Sequence, residues 1–249
     1  MSVLELQNLS VSLRGRDIFR DVTLSVQKGE MVGLIGPNGA GKTTLMRAAL
    51  GLVAHGGHSS LAGMAPMARA RAVAWMPQSR EIAWPVSIEA LVRLGRMPHQ
   101  AARLSAADHA AVERALDHMG LAAMRSRTVT RLSGGEQARA LIARALAQET
   151  DLLMADEPIA GLDPAHQIAT MQMFQSLAAD GRAVLVSLHD LGLAARHCAR
   201  LVVLGQGGIQ ADGPPSKVLT PELVARVFGI TAYQAQTPQG HIFQPLEVL

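Results

Sequence analysis

The sequence predicts an α/β protein built on a mostly parallel sheet, with antiparallel strands at its N-terminus and an inserted helical subdomain. Three observations lead to this fold class. An apolar segment, MVGLI at 31–35, runs through a glycine-rich loop into a helical segment, the order that opens parallel α/β sheets. Apolar runs alternate with helically spaced segments from about 135 to 205. Two segments with period-two alternation precede residue 31.

The two N-terminal segments have the alternation of half-buried strands. They are SVLELQNLSVSL at 2–13 and IFRDVTLSVQKGE at 18–30, and the gap between them near Arg14 to Arg16 predicts an antiparallel pair. The next strand, 31–35, is apolar throughout and should be buried. After the glycine-rich loop, TTLMRAALGL at 43–52 is predicted to form a helix.

A change of composition marks a helical subdomain at residues 79–131, inserted in a single domain that spans 1–249. The segment is rich in Ala, Arg and Leu. Two stretches in it have helical spacing and begin at a serine that can cap a helix, SIEALVRLGR at 87–96 and SAADHAAVERALDHMG at 105–120.

Beyond the helical subdomain, helices and strands alternate again. The predicted elements are helices at about 135–148, 165–179 and 190–197, strands at 151–155, 183–188 and 201–205, and a short helix at 221–229 after a turn in the tail. The three strands are expected to extend the parallel sheet through helical crossovers.

Composition excludes several classes of protein. With 249 residues, 49% of them hydrophobic, the chain can bury a large core. The net charge is only +3 and the arginines are scattered, so the basic cluster of a nucleic-acid-binding protein is missing and no nucleic acid is expected as a partner. The single cysteine, Cys198, is expected to be a packed helix residue. No uncharged apolar run approaches the roughly 18 residues of a membrane helix, and no signal peptide is recognised.

The glycine-rich loop, GPNGAGKTT at 36–44, matches the phosphate-binding pattern G-x-x-x-x-G-K-[ST] in the strand, loop and helix context that confirms the motif. Its backbone N–H groups and the helix N-terminus can surround a polyphosphate. Lys42 can reach the β and γ phosphates, and the Thr43 hydroxyl can bind Mg²⁺. The fold class is therefore a P-loop NTPase. The predicted nucleotide-binding residues of the loop are Gly36, Asn38, Gly39, Ala40, Gly41, Lys42, Thr43 and Thr44.

Two adjacent carboxylates end the strand predicted in DLLMADEP. Such a pair at the edge of a parallel sheet is costly to desolvate unless positive charge lies beside it, and a nucleotide with its Mg²⁺ supplies that charge. Asp156 is predicted to hold Mg²⁺, directly or through water, and Glu157 to act as general base on the attacking water. In the alternative interpretation, the pair only caps the following loop.

Two more polar residues have positions suited to the same site. His189 follows the strand at 183–188, at a carboxyl end where ligands of open α/β sheets collect, and can contact a γ phosphate. Gln78, in WMPQ, lies where the helical subdomain begins and can bridge Mg²⁺ or water to a moving element. The predicted catalytic residues are thus Glu157, His189 and Gln78, and the predicted metal ligands are Thr43, Gln78 and Asp156.

A second anion-binding pattern is RLSGGEQ at 131–137, in which a Ser, two glycines and a Glu can start and cap a helix. The P-loop already encloses one face of a triphosphate. Ser133, Gly134 and Gly135 are therefore redundant within the same site, and we expect them to serve another nucleotide.

These motifs, in this order, resemble the ATP-binding subunit of ABC transporters over essentially the whole chain. LSGGEQ is similar to that family's signature, and LLMADEP, GLD and His189 follow it as they do in the family. The resemblance implies a head-to-tail homodimer in which ATP and Mg²⁺ are held by the P-loop of one copy and covered by the signature of the other. It also implies that Asp163, in GLD, belongs to the nucleotide-binding residues and communicates between the two sites.

The same resemblance implies a membrane partner. Integral-membrane permease subunits would dock near Gln78 and the helical subdomain, which places the chain on the cytoplasmic face of the inner membrane. Three weaker segments, LVRLGRMPH at 91–99, GLDPAHQ at 161–167 and the tail from GPPSKVL, are most similar to importers of iron siderophores, haem and cobalamin, which also use a substrate-binding protein.

Two alternative functions remain open, and a third does not. The chain could be an ABC ATPase of another transporter class, or a soluble ABC-type ATPase acting on nucleic acid or ribosomes, although the latter usually carry tandem domains or long coiled coils. A P-loop GTP switch lacks a candidate for its N/T-K-x-D motif, because neither Lys28 nor Lys217 is followed two residues later by Asp.

The chain departs from the family pattern in three places. Leu13 stands where the family often has an aromatic residue that stacks on adenine, so we expect this stacking contact to be absent or to come from elsewhere. Ile159 and Ala160 stand where Thr and Ser are frequent, which we expect to tune the dimer contact. Because few residues follow the last predicted strand, we expect no long C-terminal regulatory domain.

Overall fold

The computed structural model of the chain describes residues 1–79, 82, 84–99, 104–238 and 240–249. The strands are β1 (Ser2–Leu13), β2 (Arg16–Gln27), β3 (Met31–Ile35), β4 (Gly56–Ser59), β5 (Val73–Met76), β6 (Leu152–Asp156), β7 (Ala183–Ser187), β8 (Arg200–Gly205), β9 (Gly208–Gly213), β10 (Ile230–Thr237) and β11 (Gly240–Val248). The helices are α1 (Lys42–Ala49), α2 (Pro66–Ala72), α3 (Ile88–Arg93), α4 (Ala106–His118), α5 (Gly134–Ala147), α6 (Pro164–Ala179), α7 (Leu191–His197), α8 (Pro215–Val218) and α9 (Pro221–Phe228).

The central sheet has the strand order β5-β6-β7-β3-β8-β9, in which all neighbours are parallel except the antiparallel pair β8–β9. β1 and β2 pair antiparallel across a turn at Arg14 and Gly15, and β4 pairs with β1. β10 and β11 form a separate antiparallel hairpin. The predicted α/β fold, with a mostly parallel sheet and antiparallel N-terminal strands, is therefore confirmed.

The two faces of the central sheet pack against different cores. Side chains alternate along a strand, so neighbours point to opposite faces. On β7, Leu185 packs with the β1–β2 pair and α1, whereas Val184 and Val186 pack on the other side with α5 and α6. Burial on both faces explains why these strands are continuously apolar. It also fixes the carboxyl ends of β3, β6 and β7 along one edge.

The segment between β5 and β6 is helical where it is described. Ser87 and Ser105 cap α3 and α4 as expected, each accepting a hydrogen bond from the backbone N–H three residues on. An antiparallel bridge between Ser87 and Thr128 brings the two ends of this segment together. Residues 80, 81, 83 and 100–103 lie outside the described residues, and the boundaries 79–131 stay a prediction.

The structure adds elements that the sequence analysis misses: β4, α2, β5, β9, α8 and the β10–β11 hairpin. In the described segments, no helix combines the length and the hydrophobicity needed to cross a bilayer.

Candidate functional site

A cleft of about 640 Å³ lies at the carboxyl edge of the central sheet. Its lining consists of Ile18, Asn38, Gly39, Ala40, Gly41, Lys42, Thr43, Thr44, Gln78, Glu157 and His189. Predicted site residues from four separate segments of the chain therefore meet here: the glycine-rich loop, the segment after β5, the end of β6 and the end of β7. Gly36 begins the loop and Asp156 lies buried under Glu157.

The glycines of the loop are required by the backbone. Gly36 has φ 155° and a Cβ there would lie 2.3 Å from the Leu204 carbonyl oxygen, so no side chain fits. Gly41 has φ 95°, in the left-handed region that L-residues other than glycine rarely adopt. The loop can therefore curl tightly over the end of β3.

Helix α1 begins without a side-chain cap. Its N-cap residue is Gly41, and no acidic residue lies in its first turn. In the described part of the chain, the other helices of eight or more residues are capped by Ser105, Ser133, Asp163 and Thr220. The N–H groups of the first turn of α1 thus keep their hydrogen-bonding capacity at the cleft, which favours an anion.

Lys42 is the cation of the cleft. Its side-chain Nζ donates to the carbonyl oxygens of Gly36, at 2.7 Å, and Pro37, at 3.2 Å. Burial lowers the pKa of the Lys42 ammonium, and the nearby carboxylates of Glu157 and Asp156 partly oppose that shift. The loop therefore presents a positive charge beside two negative ones.

Asp156 is only 1% exposed, and its two oxygens have different environments. Oδ1 accepts a hydrogen bond from Ser187 Oγ at 2.6 Å. Oδ2 is buried and has no hydrogen-bond partner among the described residues. Leaving a buried carboxylate oxygen unpaired is unfavourable, so this atom is suited to a cation.

Glu157 is the meeting point of the predicted catalytic residues. Gln78 Nε2 donates to Glu157 Oε2 at 2.8 Å, and His189 Nε2 is in hydrogen-bond contact with Glu157 Oε1. The backbone of Glu157 has φ 50°, unusual for a residue other than glycine, and its N–H donates to Ser187 Oγ at 2.9 Å. Such strained positions are concentrated at functional sites.

The donors around Asp156 fit Mg²⁺. This ion prefers hard oxygen ligands. The half-buried Thr43 hydroxyl is one in the cleft lining, and the unpaired Oδ2 of Asp156, buried at the end of β6 next to Glu157 in the chain, is another. Gln78 adds an amide oxygen on a side chain that already reaches Glu157.

Ser133, Gly134 and Gly135 do not line this cleft within the described chain. Ser133 caps α5 in a capping box, as its sequence indicates: Ser133 Oγ accepts from the Glu136 N–H, and Glu136 Oε2 accepts from the Ser133 N–H. Of the described parts of the chain, none would come within 4 Å of a Cβ on Gly134, and Leu162 alone would touch one on Gly135, at 3.7 Å. The packing of this chain therefore does not explain the two glycines.

Asp163 is the N-cap of α6 and also lies away from the cleft lining. Its carboxylate accepts from the His166 backbone N–H at 2.9 Å and contacts His166 Nδ1 at 2.6 Å. These hydrogen bonds hold the pKa of Asp163 below its usual value.

Sequence reasoning misses two residues of the site. Ser187 joins Asp156 to Glu157, and its only sequence signal is a hydroxyl that ends an otherwise apolar strand. Ile18 lines the cleft beside Gly41, while Leu13 lies farther along the β1–β2 pair, 41% exposed. Neither Ser187 nor Ile18 belongs to a sequence motif that would have identified it as a site residue.

Comparison with known proteins gives consistent matches. The family model described as ABC transporter matches residues 19–160. The cobalamin import ATP-binding protein BtuD of Halobacterium salinarum is 41% identical over 232 residues, 90% of this chain and 58% of that protein, so the chain spans less than two thirds of this relative. The hemin import ATP-binding protein HmuV of Pseudomonas fluorescens is 39% identical over 251 residues, 96% of this chain and 98% of that protein. A solved metal-chelate type ABC transporter in an inward-facing conformation superposes with a TM-score of 0.86 at 25% identity, over 99% of this chain and 98% of that one.

Proposed function

Because the chain belongs to the ABC transporter family, we propose that it is the ATP-hydrolysing subunit of an importer for an iron-chelate, haem or cobalamin-type substrate. The observation that carries this proposal is the convergence of Gln78 and His189 on Glu157, beside a buried lysine and an uncapped helix start. The relatives named for cobalamin and hemin import, and the metal-chelate type transporter of the same fold, support the substrate class.

The cleft explains how ATP would be bound. The uncapped first turn of α1 and the loop N–H groups receive the phosphate oxygens, and the Lys42 ammonium can exchange its two backbone carbonyl acceptors for the β and γ phosphates. Mg²⁺, held by Asp156, Thr43 and Gln78, would neutralise charge on the phosphate oxygens.

Hydrolysis is then performed by the acidic edge of β6. Glu157 takes a proton from the attacking water as the water oxygen bonds to the γ phosphorus and ADP leaves. Gln78 and His189 hold the Glu157 carboxylate from two sides, so its direction is set before the water arrives. His189 lies in the cleft lining, where it can also contact the γ phosphate.

The second half of the site comes from another copy of the chain. Ser133 and the two open glycines at the start of α5 face no residue of their own cleft, and a nucleotide held by a second copy would occupy the space beside Gly134. Leu162 lies next to Gly135, so the segment from Glu157 to Asp163 links one nucleotide to the start of α5 in the same chain. This link supports the role of Asp163 in communication between sites.

A groove of about 300 Å³ on the helical segment is the docking site for the permease. It is lined by Ile82, Trp84, Val86, Leu91, Leu94, Leu141 and Arg144. Trp84 is 71% exposed, a large apolar surface for a chain in water. Docking here would hold the chain against the cytoplasmic face of the membrane.

Two measurements test the proposal: uptake of haem, cobalamin or iron chelates by cells, and ATP hydrolysis by the purified chain. We expect Lys42→Ala to lose ATP binding and to abolish uptake, while the control Lys217→Ala, at the short helix α8, keeps both. A wild-type chain that releases no phosphate from ATP contradicts the enzymatic proposal. Unchanged uptake of haem, cobalamin and iron chelates in cells lacking the protein contradicts the import proposal.

A further inference from the structure

The geometry assigns a positioning role to Ser187, and this inference rests on the proposed ATP hydrolysis. We infer that its hydroxyl aims the cation-binding oxygen of Asp156 and fixes the backbone that carries Glu157. Ser187 is the last residue of β7, is fully buried, and is the register partner of Asp156 on β6. It is not among the described residues that line the cleft, so it acts through its two neighbours.

The Ser187 hydroxyl both donates and accepts a hydrogen bond. Ser187 Oγ donates its only proton to Asp156 Oδ1, at 2.6 Å, and accepts from the Glu157 N–H, at 2.9 Å. With the donor engaged on one side and a lone pair on the other, the hydroxyl has a single favourable orientation. One atom therefore sets the relative position of the two acidic residues.

The hydrogen bond that Ser187 donates to Asp156 gives the two carboxylate oxygens of Asp156 different environments. Oδ1 is hydrogen-bonded, whereas Oδ2 is buried without a partner among the described residues. The carboxylate cannot rotate without breaking the bond from Ser187, so Oδ2 is the oxygen left for a cation. Carboxylates that bind metals are commonly oriented by outer hydrogen bonds of this kind.

The hydrogen bond that Ser187 Oγ accepts from the Glu157 N–H stabilises the unusual backbone conformation of Glu157. Its φ of 50° turns the chain sharply after β6 and directs the side chain to Gln78 and His189. His189 follows Ser187 by two residues on the same strand end. Ser187 therefore holds together the end of β6, which carries the general base, and the end of β7, which carries His189.

The test compares Ser187→Ala, which removes the hydroxyl, with Ser187→Thr, which keeps it. Mn²⁺ serves as a spectroscopic substitute for Mg²⁺, and its binding is measured by electron paramagnetic resonance in the presence of a non-hydrolysable ATP analogue. We expect Ser187→Ala to bind Mn²⁺ about 10- to 100-fold more weakly, the usual effect of losing an outer hydrogen bond to a ligand. Affinity for the analogue with EDTA, and the KM for ATP, should change little, while kcat falls.

Ser59→Ala is the matched control, because Ser59 is also buried and its Oγ also donates one hydrogen bond, here to the Ala49 carbonyl, and accepts one from a backbone N–H, here that of Leu61, on the β1 side of the molecule. It should leave Mn²⁺ affinity unchanged. The inference is overturned if Ser187→Ala binds Mn²⁺ like the wild type, if Ser59→Ala weakens binding equally, or if Ser187→Thr fails to restore it.

Failure of the proposed function has a different signature. A wild-type chain that binds neither Mn²⁺ nor the ATP analogue contradicts the proposed hydrolysis and the role of Ser187 together. A wild-type chain that hydrolyses ATP, with a Ser187→Ala variant of equal kcat and Mn²⁺ affinity, contradicts only the role of Ser187.

Discussion

At the scale of single residues, Glu157 concentrates the chemistry of the cleft. Its carboxylate is hydrogen-bonded to Gln78, from the segment after β5, and to His189, from the segment after β7. Its backbone N–H donates to Ser187 Oγ. Two parts of the chain that are distant in sequence, the segment after β5 and the end of β7, thus orient the proposed general base. An acidic residue that only capped a loop would not require these contacts.

We expect Glu157→Gln to retain ATP binding and to reduce phosphate release by about 100-fold or more, because general-base catalysis contributes on this order. The amide keeps the size of the side chain but cannot accept the proton. Single-turnover phosphate release and binding of a fluorescent ATP analogue measure the two effects separately. Glu222→Gln, in the exposed first turn of α9, is the control. If Glu157→Gln hydrolyses ATP as fast as Glu222→Gln does, Glu157 is not the general base.

Cys198 allows a prediction of thiol reactivity. Burial raises the pKa of its thiol from an ordinary value near 9 to about 12, and its side chain packs against Gly33. We therefore expect negligible reaction with a thiol reagent at pH 8 in the native state and one reacting thiol per chain after unfolding. Since the folded state keeps the proton that the unfolded state releases, stability should also fall as pH rises from about 9 towards 12. Rapid stoichiometric labelling of the native chain would contradict the buried position.

At the scale of elements, a buried arginine fastens the helical segment to α5. Arg96 Nε donates to Asp108 Oδ1 at 2.8 Å, and Arg96 Nη1 donates to the Ala147 carbonyl at 2.8 Å and to Glu149 Oε2 at 3.0 Å. These bonds join the turn after α3 and the start of α4 to the end of α5. Since Ser133 begins α5, the signature segment and the helical segment should move as one body.

Arg96→Ala should lower the free energy of unfolding by clearly more than a surface substitution does, because it removes the hydrogen bonds that Asp108, Ala147 and Glu149 accept from one guanidinium. The exposed Arg226 on α9 gives the control, and Arg226→Ala should change stability by less than about 0.5 kcal/mol. Urea unfolding followed by circular dichroism measures both. Equal stability of the two variants would mean that Arg96 does not fasten these helices.

The groove that we propose for permease docking leads to another prediction at this scale. Arg144 lines it, its guanidinium has no hydrogen bond or ion pair with any described residue, and burial lowers its pKa. A partner that fills the groove must therefore supply an acidic side chain or a helix carbonyl end. We expect Arg144→Met to reduce uptake by about tenfold or more, since loss of one partner of a buried charge pair is costly, with the ATPase rate of the isolated chain unchanged. Full uptake by this variant would argue against the groove.

The elements differ in how well the sequence specifies them. The P-loop strand, α1 and the strands β6, β7 and β8 are recognisable because burial on both faces makes those strands continuously apolar and because the glycines have a required spacing. β4 is GGHS, whose pairing comes from its neighbour β1 and not from its own side chains. β10 is half-buried, β11 is mostly exposed, and neither has strict alternation, so their pairing depends on tertiary contact. The cleft was predictable through its motifs, but Ser187 was not, since its role exists only once β6 and β7 lie side by side.

At the scale of the whole molecule, the two anion-binding segments do not meet in one chain. The glycine-rich loop lies in the cleft with Lys42, whereas Ser133 to Gly135 lie outside its described lining. Among the residues that the structure describes, nothing occupies the space beside Gly134. An ATP molecule shared by two copies, arranged head to tail, explains both observations at once. Binding of ATP would then close the pair, and hydrolysis would release it.

The most direct measurement of this central claim is the mass of the Glu157→Gln variant by sedimentation equilibrium, with and without Mg²⁺ and ATP. We expect a particle of about twice the 26.3 kDa chain mass when ATP is present and a monomer when it is absent, because blocked hydrolysis keeps the closed pair together. Adding Gly134→Trp to this variant, at a position where its own chain has room, should keep it monomeric. A Glu157→Gln variant that binds ATP fully and remains a monomer would contradict the shared site.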